Sequence, residues 1–235
     1  MGARRLEIAA IIETTQRLAA RVDDRFVSRG ISQLAHELVA LSHETERRVV
    51  RLGQPRRLLR VAIGAAMAAV AAVLVYSASQ ARLGFEIDGT DEWLDVFQSG
   101  IQDLVFVGIG VVFATGIERR LKRREALSGI HELRSFAHVI DMHQLTKDPD
   151  SVLSPQLRAD HSPARPFNRY ELGRYLDYCS EMLSLTSKLA ALYAQESQDP
   201  VVLSTVLGIQ DLTGSLSNKV WQKIIILDSL DDAGV

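Results

Sequence analysis

Cysteine is all but missing from this chain: Cys179 stands alone among 235 residues. No disulfide can form within the chain, and a cysteine-based zinc site is excluded. Net charge is scarce as well, −2 at pH 7, so a dedicated nucleic-acid binder, which carries a strongly basic surface, is not expected. The first twenty residues hold no apolar run long enough for a secretory signal. Gly2 is followed by Ala3-Arg4-Arg5-Leu6, without the Ser or Thr of a myristoylation signal. No HExxH, no metal-spaced cysteines and no nucleophile elbow occur. Strand and hairpin signals are missing too, which leaves an all-α chain.

Two greasy stretches organise what is present. Residues 58–79 run LLRVAIGAAMAAVAAVLVYSAS, with no charge from Val61 to Ala78. That length approaches the ~20 residues that cross ~30 Å of hydrocarbon. Residues 97–117, FQSGIQDLVFVGIGVVFATGI, form a second stretch interrupted at its front by Gln98, Gln102 and Asp103. Arg47, Arg48, Arg51, Arg56, Arg57 and Arg60 precede the first, and Arg119, Arg120, Lys122, Arg123 and Arg124 follow the second. The loop between them carries Glu86, Asp88, Asp91 and Glu92, with Arg82 as its one basic residue. Lys and Arg are retained on the cytoplasmic side, so the pattern predicts a two-span helical hairpin in the cell (inner or plasma) membrane, both termini cytoplasmic. Tyr76, Trp93 and Phe97 suit the outer interface. Small residues such as Ala65, Ala69, Gly110 and Ala114 allow close helix approach in lipid.

The expected organisation is a cytoplasmic helical segment at 1–54, spans at 55–80 and 97–117 around an acidic external loop at 81–96, and a cytoplasmic helical bundle at 118–230 before a tail at 231–235. In the N-terminal segment, Ile8, Ile11, Thr15, Leu18 and Val22 form an a/d-like, coiled-coil type of stripe, followed by Ile31, Leu34, Leu38, Leu41, Thr45 and Leu52. Gly30 sits at the join, with Ser32 available as an N-cap. Beyond the second span a helix continues to about Gln144, with Leu133, Phe136, Ile140 and His143 on one stripe. Pro149, Pro155, Pro163 and Pro166 break helical continuity in a linker at 147–167. A helix over 168–196 carries the stripe Leu172, Leu176, Cys179, Leu183, Thr186, Ala190 and Tyr193, and a charged flank of Arg174, Asp177, Tyr178 and Glu181. Asp199 as N-cap and Pro200 at the first turn start a last helix, whose apolar face is Val202, Val206, Ile209, Leu216, Val220 and Leu227. Gly208 and Gly214 weaken that helix by roughly 1 kcal/mol each relative to alanine, so close packing or an irregularity is expected at both.

Four groups of residues bear on function. Asp103 is either a pore carboxylate or a residue just inside the outer boundary of a span that starts near Asp91; a charge in hydrocarbon costs about 2.5–3.5 kcal/mol, which favours the boundary. Arg56, Arg57, Arg119, Arg120, Arg123 and Arg124 are placed to contact anionic lipid headgroups, at about 1 kcal/mol each. His131, Arg134, His138 and Asp141 share one helical face, where a His–carboxylate pair can tune a general base or share a metal, but a solvated or interhelical hydrogen-bonding face explains the same residues and is favoured. Tyr170, Tyr175 and Tyr178 with Arg169 and Arg174 can stack on a base or simply line a helix edge. His36 and His43 lie ~10 Å apart along a helix, too far to share a metal. No metal or cofactor is expected. The sequence favours a non-enzymatic scaffold, sensor or assembly subunit, partnered by the bilayer and by a second copy or another membrane or cytoplasmic protein. The alternatives are an oligomeric channel or ion-coupled subunit using Asp103, and a membrane-tethered enzyme or nucleotide-binding effector using the His131 face.

Overall fold

The computed structural model describes residues 5–26, 30–54, 57–84, 90–147, 149 and 167–229, with side chains between 57 and 115 described only at some positions. Among the described residues there are six helices and no strand: α1 (Ile8–Arg25), α2 (Gly30–Gly53), α3 (Arg57–Gly84), α4 (Thr90–Leu145), α5 (Arg169–Glu196) and α6 (Pro200–Ser229). The chain is all-α. It divides into two compact units, Met1–Gly53 with Glu125–Val235, and Gln54–Arg124. The division falls inside α4.

In the first unit α5 is the central element. Leu172, Leu176, Cys179, Leu183, Thr186, Ala190 and Tyr193 are buried as the stripe predicts, and so are Tyr175, Tyr178, Met182, Leu185, Leu189 and Leu192. A helix buried on several sides needs several neighbours. α5 packs on α6, α2 and α1, and Tyr193 reaches the α4 backbone at Gly129. Tyr178 therefore does not belong to an exposed charged flank. Its ring is buried edge-on against Phe26, 6.1 Å between centroids, while its hydroxyl donates to Arg21 O at 3.3 Å.

The N-terminal stripes pack into the same core. Ile11, Thr15, Leu18 and Val22 of α1 are buried, as are Ile31, Leu34, Leu38, Thr45 and Leu52 of α2. Ser32 lies inside α2 rather than capping it, and its hydroxyl donates to Asp23 Oδ1. Residues 27–29, where an α2 cap would sit, lie outside the described residues. Leu133, Phe136 and Ile140 of α4 are buried too.

Helix starts are closed by local side chains and helix ends by side chains from other helices. Asn168 and Glu171 form a reciprocal capping box at the start of α5, which satisfies two otherwise orphaned N–H groups. Asp199 Oδ1 accepts from Val201 N at 3.0 Å at the start of α6. The last carbonyls of α4 receive Lys223 Nζ, 2.8 Å from Gln144 O, and Tyr175 Oη, 3.3 Å from His143 O. Arg169 does the same for α6, donating to Leu227 O. Cations at helix C-termini also oppose the negative end of the dipole.

The second unit contains α3 and the part of α4 up to Arg124. Many of its described large apolar side chains, among them Val61, Val73, Val75, Ile109, Val112 and Phe113, are exposed, while Ile63, Met67, Ile117 and Leu121 are half-buried. A Cβ added at Gly64, Gly108, Gly110 or Gly116 meets nothing within 4 Å. Among the described residues no helix is long and apolar enough to cross a membrane. Ala62, Leu74, Ser77 and Ala78 of the charge-free stretch lie outside the described side chains. The two-span hairpin thus gains no support from that measure and rests on the sequence.

Candidate functional site

The polar face of α4 is the first place to look for chemistry. His131 and His138 are exposed, and Arg134 and Asp141 are half-buried. Asp141 Oδ1 accepts from Gln144 Nε2 at 2.6 Å. Arg134 turns to α6: one guanidinium nitrogen lies 3.1 Å from where a Cβ on Gly208 would stand, and its buried Nε has no hydrogen-bond partner among the described residues. The four residues share a helix face, yet among the described residues no hydrogen bond or ion pair joins any two of them. No group of three potential ligands among the described residues can hold a metal ion. His36 instead meets Asp23 Oδ2 at 2.9 Å, and His43 lies 3.7 Å from Glu46.

The tyrosine group on α5 is divided. Tyr175 and Tyr178 are core residues, and Phe26 packs edge-on against both, with Phe167 beside Tyr175 at 5.2 Å. Their faces are occupied by protein: Arg174 stands over Tyr178 at 5.1 Å and Lys147 over Phe167 at 5.2 Å. Only Tyr170 is exposed, where Arg25 donates to its hydroxyl at 2.7 Å. Burial pushes the Tyr175 phenol well above its ordinary value. Cation–ring contacts of this kind glue helix edges together, and the two ends of the 147–167 linker meet over them. Pro155, Pro163 and Pro166 lie outside the described residues.

A polar network that sequence patterning did not single out joins α2, α4 and α5. Arg48, mostly buried, donates to Glu44 at 2.9 Å and to Glu132 at 2.7 Å. Arg51 Nε lies 3.3 Å from Glu125. Burial raises the Glu44 carboxyl, but Arg48 and Arg47 together outweigh it and hold the group below the ordinary carboxylate range. Tyr193 Oη, also buried, faces this network without a hydrogen bond of good geometry. Every charge here has a partner within the chain, which is what a helix-joining network requires and a catalytic pair does not. The spacing of Glu44, Arg48 and Arg51 on one face of α2 was the available signal.

An open cleft of about 710 Å³ lies between the start of α1 and α5, lined by Arg5, Glu7, Glu181 and Lys188 among others. Its ends are tied down by Arg5 to Glu196 at 2.5 Å and by Leu6 N to Gln195 Oε1 at 2.9 Å. Ser184 and Lys188 also line it, and Lys188 Nζ donates to Ser184 Oγ at 2.6 Å across one exposed turn of α5; a lysine that donates its proton to the hydroxyl is not placed as its base.

Among the described residues, the outer face of α6 packs against no other helix. Its inner face, from Val202 to Leu227, is buried as expected. On the other side, large apolar side chains stand in solvent: Leu203 is 38 % exposed, Leu207 60 %, Trp221 54 % and Ile225 60 %. Single exposed apolar residues are ordinary, but a row of them along one helix marks a contact surface. Of the basic positions, Arg119, Arg120 and Arg124 are exposed, and Arg120 lies over the Phe113 ring at 5.9 Å. The side chains of Asp103 and Arg57, and the whole of Arg56, lie outside the described residues. No protein-family model matches the chain, and neither a curated protein nor a solved structure matches it.

Proposed function

We propose that this chain is a membrane-anchored, non-enzymatic helical interaction module. Residues 55–117 form the anchor, and the helical unit formed by residues before 54 and after 124 presents a contact surface on the cytoplasmic side. The observation that carries it is the row of exposed apolar side chains on the outer face of α6, set on a helix whose other face is locked into a fully packed core. A rigid scaffold that displays an apolar stripe is built to bind another helix.

Three further features support the reading. The most buried arginine among the described ion pairs, Arg48, is tied to Glu44 and Glu132 as a link between helices. Val61, Val70, Val73 and Val75 of α3 and Val105, Ile109, Val112 and Phe113 of α4 are exposed, which suits a lipid-facing surface. Basic clusters flank both greasy stretches and acidic residues lie between them, the charge pattern of a hairpin with cytoplasmic ends and headgroup-contacting arginines.

Extraction of the expressed full-length chain tests the anchor. The protein should stay with the membrane through alkaline carbonate and leave only with detergent. A cysteine placed at Gly89 should be labelled by an impermeant maleimide from outside intact cells. Release by carbonate, or labelling only after lysis, would count decisively against it.

A further inference from the structure

No contact among the described residues explains Gly214. A glycine inside a helix costs about 1 kcal/mol relative to alanine, and Gly208 accounts for its own cost by making room for Arg134. Around Gly214 there is open space: an added Cβ meets nothing within 4 Å. Leu207 and Trp221 stand seven residues to either side of it, and Leu203 and Ile225 eleven. Seven and eleven residues are each whole turns to within about 20°, so all four share one stripe with the glycine at its centre. Gln210 and Asn218, both exposed, lie four residues to either side.

We propose that the outer face of α6 binds the same face of a second copy, in an antiparallel pair crossing at Gly214. The inference deepens the interaction-module reading and rests on it. A two-fold axis through Gly214 sets Leu207 against the partner's Trp221 and Leu203 against the partner's Ile225, and repeats both contacts by symmetry. Gln210 meets the partner's Asn218, amide to amide. That mutual matching is what an isologous interface demands. The glycines allow the two backbones to approach where they cross, and no Lys, Arg, Asp or Glu stands at the six paired positions. An equally spaced stripe of unrelated composition would suit a foreign helix; a stripe symmetric about its own glycine suits itself.

The area sets the strength. From Leu203 to Ile225 the stripe is about 35 Å long and a helix about 10–12 Å wide, so each copy offers on the order of 400 Å². A standard stable interface takes about 800 Å² from each partner. The pair is therefore of the weak, concentration-dependent class, and tethering both copies in one bilayer raises their effective concentration.

Oxidative cross-linking of the full chain in membranes tests this. Cys179 is fully buried, its thiol pushed up to about 12 by burial, so it does not compete. G214C places a thiol on the axis and should yield a covalent dimer. Q210C and N218C alone put like residues ~12 Å apart along the helix, beyond the ~7 Å reach of a disulfide, whereas mixing the two variants brings them opposite. The expected pattern is a dimer from G214C, loss of it from either off-axis variant alone, and recovery in the mixture. L207E, at an exposed position, should abolish the G214C product while helical content is unchanged. No dimer from G214C, or self-linking of Q210C as strong as that of G214C, would each overturn the proposal. Carbonate extraction of the same membranes separates failure of the anchor from failure of the pair, because the cross-linking pattern is equally readable on released protein at matched concentration.

Discussion

Gly129 is where a single atom matters most. A Cβ there would stand 2.1 Å from Tyr193 Oη and 2.7 Å from its ring carbon, with Arg48 3.0 Å away. A buried tyrosine cannot swing aside, so Gly129→Ala should cost about 1–3 kcal/mol, the range for overpacked cores. Denaturant unfolding measures it, and adding Tyr193→Phe, which removes the nearest atom, should recover part of the loss. Full stability of Gly129→Ala alone would show that α4 and α5 are not in this contact. Cys179 offers a second check. Burial pushes its thiol from the ordinary value up to about 12, so the folded state holds a proton that the unfolded state releases above ~8.5. Its contribution is intact below that pH and is lost progressively as pH rises toward 12. Native protein should resist thiol reagents at pH 8, and Cys179→Ala should flatten the alkaline decline in melting temperature. Spacing along α5 already places Cys179 on the buried stripe, but the contact at Gly129 is not evident from it: a glycine in a helix reads as a weak point until its neighbour is known.

At the scale of elements the helices were largely legible. The three/four spacing of Ile11 to Val22, of Ile31 to Leu52 and of Val202 to Leu227 picks out the faces that are buried. Such patterns survive because burying one face of a helix is the dominant gain in its folding. Boundaries were legible where a cap is local, as with Asp199 and Pro200. Asn168 should be worth about 1 kcal/mol as the cap of α5. Asn168→Ala should lower stability by that amount, whereas Asn168→Ser should be nearly neutral; equal effects would mean that the capping box contributes little. The surroundings of α5 were less legible. Its pattern reads as one stripe with a charged flank, but three partner helices and Gly129 of α4 bury Tyr175, Tyr178 and Leu189 as well. A long amphipathic pattern cannot state how many neighbours a helix has.

The whole molecule is discontinuous. The first unit joins residues before Gln54 to residues after Arg124, and Arg51 pairs with Glu125 across the two points where the chain leaves and returns. Chain ends that meet this closely tolerate excision of what lies between them. Replacing residues 54–124 by a short Gly/Ser linker should leave a helical unit that unfolds cooperatively in water. An aggregated or non-cooperative product would show that the second unit is required for the first to fold.

The sequence by itself determined the helical class, the apolar faces, the charge-flanked greasy stretches and the candidate polar face on α4, because each depends on local spacing along one helix. Tertiary structure decided what meets what. It sent Arg134 toward Gly208 instead of into a His–Asp pair, tied Arg48 between Glu44 and Glu132, and left Gly214 and its flanking Leu207 and Trp221 uncovered. Contacts between helices depend on rotation and register in three dimensions, and one chain's periodicity carries no record of them.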